Sequence, residues 1–242
     1  MTQSLRGFVD DFAARRRTVT VYADAPPDDL ETRFRDWNVD VRFDRLPPGA
    51  GPGFVTVREG ERFLGSVTLE TVATLFEPPA GLLDPEPAAT GALEPLLELL
   101  DDTLFRSFER RHLLAATREI EDRAWRVGEG ELHVGFQRPA ALSAQRTVYE
   151  RLAESDLDVH VYTDVEWDEP SIPNVTAHAE SDGELGQYWF VAFSPAGSDA
   201  RSQACALIAW EREPGAYDGF WTYDPDRVAA LVTHLRTAYG DD

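Results

Sequence analysis

The residues best suited to bind a small molecule lie where a predicted strand runs into a helix. Phe136 and Gln137 close the β-like run of residues 132–136, and a proline-led turn follows. In open α/β sheets, ligands bind in the crevice at strand ends. The amide of Gln137 can donate and accept hydrogen bonds to a polar ligand. In the alternative interpretation, Gln137 caps local backbone and Phe136 belongs to the core.

Large aromatic side chains are concentrated in the second half of the chain. Aromatic walls suit flat or apolar ligands and protein interfaces, although most large aromatics are simply buried in cores. The run Gly219-Phe220-Trp221 is the part most readily assigned a function, because two bulky apolar residues near a turn need a reason. The candidate ligand-binding residues are Trp125, Phe136, Gln137, Tyr149, Trp189, Phe220, Trp221 and Tyr223.

The sequence contains cysteine, histidine and glutamate residues that could take part in catalysis or bind a metal, but their spacing matches no recognisable catalytic or metal-binding motif. Cys205 lies in an apolar strand with no basic neighbour, which favours a buried thiol over a redox sensor. His133 and His160 lie on equivalent strands and can approach each other, but the spacing is not that of a metal site. Glu211 and Glu213 follow a buried strand with no nucleophile or phosphate loop nearby. The sequence therefore predicts no catalytic residue and no metal site, and it leaves the cofactor unknown.

The composition restricts the environment and the partners. The 242-residue chain carries a net charge of −21 and contains no lysine. Such a surface is typical of a protein that stays soluble in high salt, whereas a GC-rich genome would explain the arginines but not the excess of acid. The charge disfavours nucleic acid and anionic membranes, because phosphate contacts need a basic face. One cysteine excludes an internal disulfide, and no apolar run approaches the roughly 20 residues of a membrane span. We expect a soluble, cytoplasmic protein.

The elements that must position these residues follow from hydrophobic periodicity. The central stretch, residues 108–137, predicts a long amphipathic helix stopped by Gly128 and then a short strand. Its charged pairs, Glu119 with Arg123 among them, are expected on the solvent side. Further helices are predicted over residues 4–15, 28–37, 70–76 and 96–108, after Ser143, and from Pro225 onward. Strands are predicted over residues 18–22, 39–43, 54–58, 63–69, 131–136, 158–162, 188–193 and 204–210.

Both halves of the chain share one order of predicted elements: helix, strand, helix, three strands and a helix. This match of pattern without identity fits an internal duplication, and a chain without one remains the alternative. The predicted fold class is α/β (α+β), with mixed β-sheets and helices packed on them. We predict an N-terminal α/β half over residues 1–76, a linker or loop rich in proline and acid over 77–95, and a second unit over 96–242. The sequence leaves open whether the halves are one domain or two.

Three stretches resemble the DICT sensory domain. They are LLAATREIEDRAWRVGEGELHVGFQ, VYERLAESDLDVHVY and ACALIAWEREPGAYDGFWTYDPDRV. The resemblance covers about residues 105–240 and, more loosely, the N-terminal half; its most specific parts are the Gly-Phe-Gln strand end and the Gly-Phe-Trp-Thr-Tyr-Asp-Pro segment. Domains of this family are fused to diguanylate cyclases and two-component proteins and occur as stand-alone copies in halophilic archaea. The acidic composition agrees with that last branch.

The resemblance implies a non-catalytic sensory module that binds a small ligand or a signalling partner such as a histidine kinase. No kinase, cyclase or phosphodiesterase motif stands in the sequence, so any output belongs to a partner. Two alternatives stay open. One is an enzyme of unrecognised class that uses Gln137, Glu211 and a histidine, and the other is a dimerising scaffold that forms a homodimer. The family carries no ligand over to this chain.

Overall fold

The computed structural model describes residues 4–10, 17–26, 34, 37–78, 93–165, 171–179 and 183–240. Their helices are α1 Leu5–Asp10, α2 Leu69–Phe76, α3 Glu94–Leu99, α4 Arg110–Val127, α5 Pro139–Ser143, α6 Arg146–Leu152 and α7 Pro225–Tyr239. Their strands are β1 Arg17–Ala23, β2 Val39–Arg45, β3 Phe54–Glu59, β4 Arg62–Thr68, β5 Leu104–Glu109, β6 Glu129–Phe136, β7 Asp156–Thr163, β8 Val175–Ala179, β9 Tyr188–Pro195, β10 Cys205–Glu213 and β11 Ala216–Thr222.

The strands form two mixed sheets, as predicted. The smaller sheet has the order β2-β1-β3-β4, and the larger has the order β5-β11-β10-β9-β6-β7-β8. In the larger sheet β6, β7 and β8 run parallel, while the other neighbours are antiparallel. Helix α4 packs on one face of its central strands and α7 on the opposite face. Strands covered on both faces read as continuous apolar runs, which is why β9 and β10 were predictable.

The two sheets share one apolar core. The Trp37 ring, beside the small sheet, lies 5.2 Å from the Phe108 ring and 5.6 Å from the Trp221 ring of the large sheet. A 2.9 Å hydrogen bond also joins His112 Nε2, in the first turn of α4, to the carbonyl of Phe76 at the end of α2. The N-terminal half is therefore packed directly against the second unit.

The helix predicted over residues 96–108 is wrong beyond Leu99. The chain turns at Asp102, whose φ is 56°, and continues as strand β5. Ser107, also at a φ of 56°, forms a bulge opposite Asp218, so Phe105 and Phe108 face the same side and their rings stack at 4.2 Å. In a regular strand, residues two apart face the same side. The bulge adds one residue, so the apolar residues on this side are three apart, which is also the spacing of a helix face.

Two smaller expectations were also wrong. Gly219, Phe220 and Trp221 lie within the buried strand β11 and not near a turn. Ser143 ends α5, where its hydroxyl donates to the carbonyl of Pro139, and does not cap the following helix. Of the segments predicted at 4–15, 28–37 and 77–95, residues 11–15, 28–33, 35–36 and 79–92 lie outside the described residues.

The internal duplication is not confirmed. The order β2-β1-β3-β4 of the small sheet recurs as β7-β6-β9-β10 in the large sheet, with the same parallel and antiparallel neighbours. Strands β5, β8 and β11 have no counterpart among the described strands of the small sheet. A shared strand order does not establish a common origin, so the duplication stays a prediction. The division of the chain into units 1–76, 77–95 and 96–242 also stays a prediction.

No helix in the described part of the chain combines the length and the apolar character needed to cross a bilayer.

Candidate functional site

A cavity of about 280 Å³, here called the α4 cavity, opens where strand β6 ends beside helix α4. The helix contributes Arg110, Leu114, Thr117, Arg118 and Glu121, which recur every three or four residues and so occupy one side of the helix. The remaining wall comes from the end of β6, from α5 and α6, and from the near ends of β9, β10 and β11. Its most informative members are Phe136, Gln137, Tyr149, Trp189, Glu211 and Tyr217.

A hydrogen-bonded network of buried polar side chains borders the cavity. Glu121 receives a hydrogen bond from Arg118 on one carboxylate oxygen and from the Tyr149 hydroxyl on the other. Arg118 also donates to the side-chain oxygen of Gln145. Buried charges are tolerated when they are paired in this way. The network ties α4 to the opposite wall and fixes the shape of the cavity.

The same burial sets the protonation of these groups. Burial disfavours the charge on Arg118, but Glu121 outweighs it and the pKa of the guanidinium is raised, so this arginine stays charged. Burial and the neighbouring Glu121 charge raise the pKa of Tyr149 well above its usual range, so Tyr149 is a neutral donor. Arg118 is only 7% exposed, and within the described residues its Nε has no hydrogen-bond partner.

Aromatic rings form the flat parts of the wall. The Trp189 indole nitrogen donates to the Thr117 hydroxyl at 3.1 Å, which anchors the ring to α4. The Trp189 and Tyr217 rings lie 6.1 Å apart at 80°. The Phe136 and Tyr149 rings lie 5.5 Å apart at 88°. Edge-to-face pairs of this kind hold their rings in fixed orientations.

Charged groups converge at Tyr217. Burial and the charge of Glu211 raise the pKa of the Tyr217 hydroxyl, while the charges of Arg110 and Arg138 lower it. Arg110, Arg138 and Glu211 also line the cavity beside Tyr217. The Arg110 guanidinium also lies over the Trp189 ring, 5.6 Å from its centroid. Across the described ranges, neither arginine forms an ion pair. The cavity of this highly acidic protein thus carries two arginines that have no ion-pair partner among the described residues.

The structure brings together four of the eight predicted site residues. Phe136, Gln137, Tyr149 and Trp189 all line the α4 cavity. Gln137 also donates to the backbone carbonyl of Gln187 at 3.3 Å, so its amide has a local partner in addition to the cavity. The expectation that a ligand crevice forms where this strand ends is consistent with the geometry.

The other four predicted site residues lie elsewhere. Trp125 lies under the Arg151 guanidinium, which is 4.7 Å from its centroid, and Tyr223 packs in the same way against Arg123 at 4.6 Å. Phe220 and Trp221 are neighbours on one strand and so point to opposite faces of the sheet. Phe220 is buried on the side of the sheet that α7 covers, and Trp221 is part of the core shared with the small sheet.

Sequence reasoning missed the arginines and Tyr217. It placed the charged pairs of α4 on the solvent side, but Glu119 and Arg123 are each only 2% exposed. Arg123 instead bridges to Glu94 and Glu98 of α3 at 2.6 and 2.7 Å. The spacing of Arg110, Arg118 and Glu121 does place them on one side of the helix. However, a buried ion pair has the same sequence spacing as an exposed one, so the spacing alone did not show that this side is buried.

The other candidate groups form their own clusters. The His133 and His160 rings stack at 4.6 Å, as the equivalent strand positions predicted, and His160 Nδ1 lies 2.9 Å from His178 Nε2. Among the described residues, no group of three or more histidine, cysteine or acidic side chains is arranged to hold a metal ion. Cys205 is buried, and burial raises the pKa of its thiol to about 12, which fits the expected unreactive side chain.

Comparisons with known proteins add a family match for the region that builds the cavity. No curated protein sequence matches the chain. Among solved structures, the polyphosphate kinase from Porphyromonas gingivalis aligns with 92% of this chain and 46% of its own length, at 14% identity and a TM-score of 0.37. The chain thus spans less than half of that kinase, and a likeness this low indicates neither a common fold nor a common activity.

One protein family matches part of the chain. Residues 93–212 match the model of DICT, described as a sensory domain in diguanylate cyclases and two-component systems. That segment contains α4, the end of β6, α5, α6, β9 and Glu211, which together supply most of the cavity wall. The α4 cavity is therefore built mainly by the segment that matches the DICT sensory domain.

Proposed function

We propose that this protein is a cytoplasmic, non-catalytic sensory module that detects a small ligand bound in the α4 cavity. The observation that carries the proposal is the cavity itself, with its fixed aromatic walls and convergent polar groups inside the segment that matches a sensory family. Cavities lined in this way are the usual sites of small molecules. The acidic, lysine-free composition supports a cytoplasm of high salt as its surroundings.

The proposed route for the signal is helix α4. One side of this helix lines the cavity, and its first turn contacts the N-terminal half through His112 and the carbonyl of Phe76. A ligand that favours one position of α4 would change that contact, because a ligand shifts a conformational equilibrium by its differential affinity for the two states. A signalling partner such as a histidine kinase would then detect the change at the N-terminal half.

The two alternatives have weaker support. The enzyme alternative needs a histidine beside Gln137 and Glu211, and in the described part of the chain no histidine lines the cavity. The scaffold alternative needs a broad apolar surface. The large hydrophobic side chains exposed in the described ranges are Phe54, Phe63 and Val165, which are too few for a wide patch.

The test is to find the ligand and to block the cavity. Protein purified in high salt is denatured, and the released small molecules are identified by mass spectrometry. Ala141→Trp places an indole in the cavity wall, and Ala229→Trp, on the exposed side of α7, is the matched control. We expect wild type and Ala229→Trp to release the same molecule and Ala141→Trp to release none. Equal release from all three proteins would contradict the proposed site.

A further inference from the structure

We propose that the ligand of the α4 cavity is a small, flat organic monoanion, a ring or conjugated system that carries one carboxylate. This inference rests on the proposed function and names the chemical class of its ligand. It is carried by the convergence of unpaired guanidiniums and fixed aromatic rings in one cavity.

The charge of the cavity is opposite to that of the protein. The chain has a net charge of −21, but three arginines and two glutamates line the cavity, which leaves an excess of one positive charge. Glu121 is neutralised by Arg118, and Glu211 accepts the backbone N–H of Gly215 at 2.8 Å. Arg110 and Arg138 have no carboxylate partner in the described part of the chain. One negative charge on a ligand would complete this balance.

Guanidinium groups are suited to a carboxylate. An arginine presents a planar set of N–H donors that matches two carboxylate oxygens, and such charge-assisted bonds are stronger than neutral ones. Arg110 and Arg138 both line the cavity, and the charge of each lowers the pKa of the Tyr217 hydroxyl. A phosphate with two charges would meet Glu211 beside the same phenol, which favours a single charge.

Arg118 is a further hydrogen-bond donor in the cavity that favours a ligand with an acceptor atom. Arg118 is buried and lines the cavity, and its Nε is unbonded among the described residues. Leaving a buried donor unsatisfied is costly, so an acceptor supplied by a ligand would recover that free energy. A ligand acceptor that reaches this nitrogen would complete the network around Arg118.

The walls and the volume restrict the shape of the ligand. Trp189 with Tyr217, and Phe136 with Tyr149, form two right-angled aromatic corners. A flat ring fits against such faces through offset stacking or edge contacts. The volume of about 280 Å³ lies just below the roughly 300–1,000 Å³ of small-molecule sites, which favours a molecule of one or two rings over a dinucleotide.

The experiment compares matched acids and amides by isothermal titration calorimetry. The probes are benzoate and cinnamate against benzamide and cinnamamide, all in the same high-salt buffer. The variants are Arg110→Gln/Arg138→Gln and the control Arg111→Gln, an arginine next to Arg110 that pairs with Glu109 at 3.0 Å and does not line the cavity. Binding to Ala141→Trp is measured in parallel.

We expect each acid to bind wild type at least about tenfold more tightly than its amide, as one charge-assisted interaction would give. The double variant should lose about the same factor for the acids and keep the affinity for the amides, while Arg111→Gln behaves as wild type. Equal affinity of acids and amides, unchanged acid binding by the double variant, or no binding of any probe would overturn the monoanion class.

These outcomes separate the two proposals. In one outcome, wild type binds none of the probes but releases a molecule on denaturation that Ala141→Trp does not release. The cavity is then a ligand site, but for a ligand of another chemical class. If Ala141→Trp keeps that molecule and also binds the acids as wild type does, the cavity is not the site and both proposals fail.

Discussion

Glu121 and Tyr149 are joined by a hydrogen bond in which the phenol donates to the buried carboxylate. The bond links helix α4 to helix α6 across the α4 cavity, and Arg118 occupies the second oxygen of the same carboxylate. The positions of these two helices are therefore set by polar contacts as well as by apolar packing. A buried carboxylate with all its partners is rigid, and one that loses a partner is costly.

Tyr149→Phe should destabilise the protein by about 1–3 kcal/mol, because it leaves one oxygen of buried Glu121 without a donor. Chemical denaturation followed by circular dichroism measures the change. Tyr223→Phe is the control: the Tyr223 ring packs against Arg123 and no hydrogen bond of its hydroxyl is seen among the described residues, so the loss there should stay below about 0.5 kcal/mol. Equal losses in the two variants would show that the Tyr149 bond adds nothing.

Glu119→Gln should remove a pH-dependent cost. Burial raises the pKa of Glu119 from 4.5 to about 7 in the folded protein. The folded state therefore holds this proton more tightly than the unfolded state, and stability falls as the pH rises from about 4.5 to about 7. The variant should have nearly the stability of wild type near pH 4 and exceed it by about 3 kcal/mol at pH 8.

The comparison of Glu119→Gln with wild type is made by denaturant unfolding at several pH values. The new amide oxygen can still accept the Leu93 N–H, which Glu119 Oε2 accepts at 3.3 Å. Glu154→Gln, on an exposed turn, is the control and should keep the wild-type pH profile. A constant difference between Glu119→Gln and wild type over the whole pH range would contradict the raised pKa.

Cys205 should resist thiol reagents while the protein is folded. Burial raises the pKa of the thiol to about 12, so the reactive thiolate is scarce at neutral pH and the sulfur is also shielded. Labelling with a disulfide reagent should be slow in buffer and complete after unfolding in guanidinium chloride. Rapid labelling of the folded protein would instead support the redox-sensing interpretation.

Trp37→Ala should weaken the whole protein and not the N-terminal half alone, because its ring contacts Phe108 and Trp221 of the large sheet. The expected loss is about 3–5 kcal/mol, typical of a large core residue cut to alanine. Unfolding of wild type followed by tryptophan fluorescence and by circular dichroism should give coincident transitions. Two separated transitions would mean that the halves fold as independent domains.

Regular elements with a local sequence signal were predictable from the sequence. The hairpin β3–β4, strands β6, β7, β9 and β10, and helix α7 lie close to their predicted positions. Asp224 caps α7 as expected, accepting the N–H groups of Asp226 and Arg227 at 3.0 and 3.4 Å. These signals are local, because they depend on strand composition and on the first turn of a helix.

Features that depend on distant partners were not predictable. Strand β5 looks helical because its bulge at Ser107 gives Phe105 and Phe108 a spacing of three. The polar side of α4 looks exposed because its partners, among them Tyr149 and Glu94, come from other parts of the chain. Phe136 and Gln137 could be predicted as site residues because they lie at the end of a recognisable strand. The cavity arginines Arg110, Arg118 and Arg138 have no such local pattern.

Strand β11 has a consequence for where this protein can be cut. It lies beyond residue 212, outside the matched segment, yet it pairs with both β5 and β10 and separates them in the sheet. A fragment limited to residues 93–212 would leave β5 with no neighbouring strand in the described sheet and would expose the stacked rings of Phe105 and Phe108. The segment that matches the family is thus smaller than the sheet to which it belongs, and a fragment made for expression needs boundaries drawn around the whole sheet.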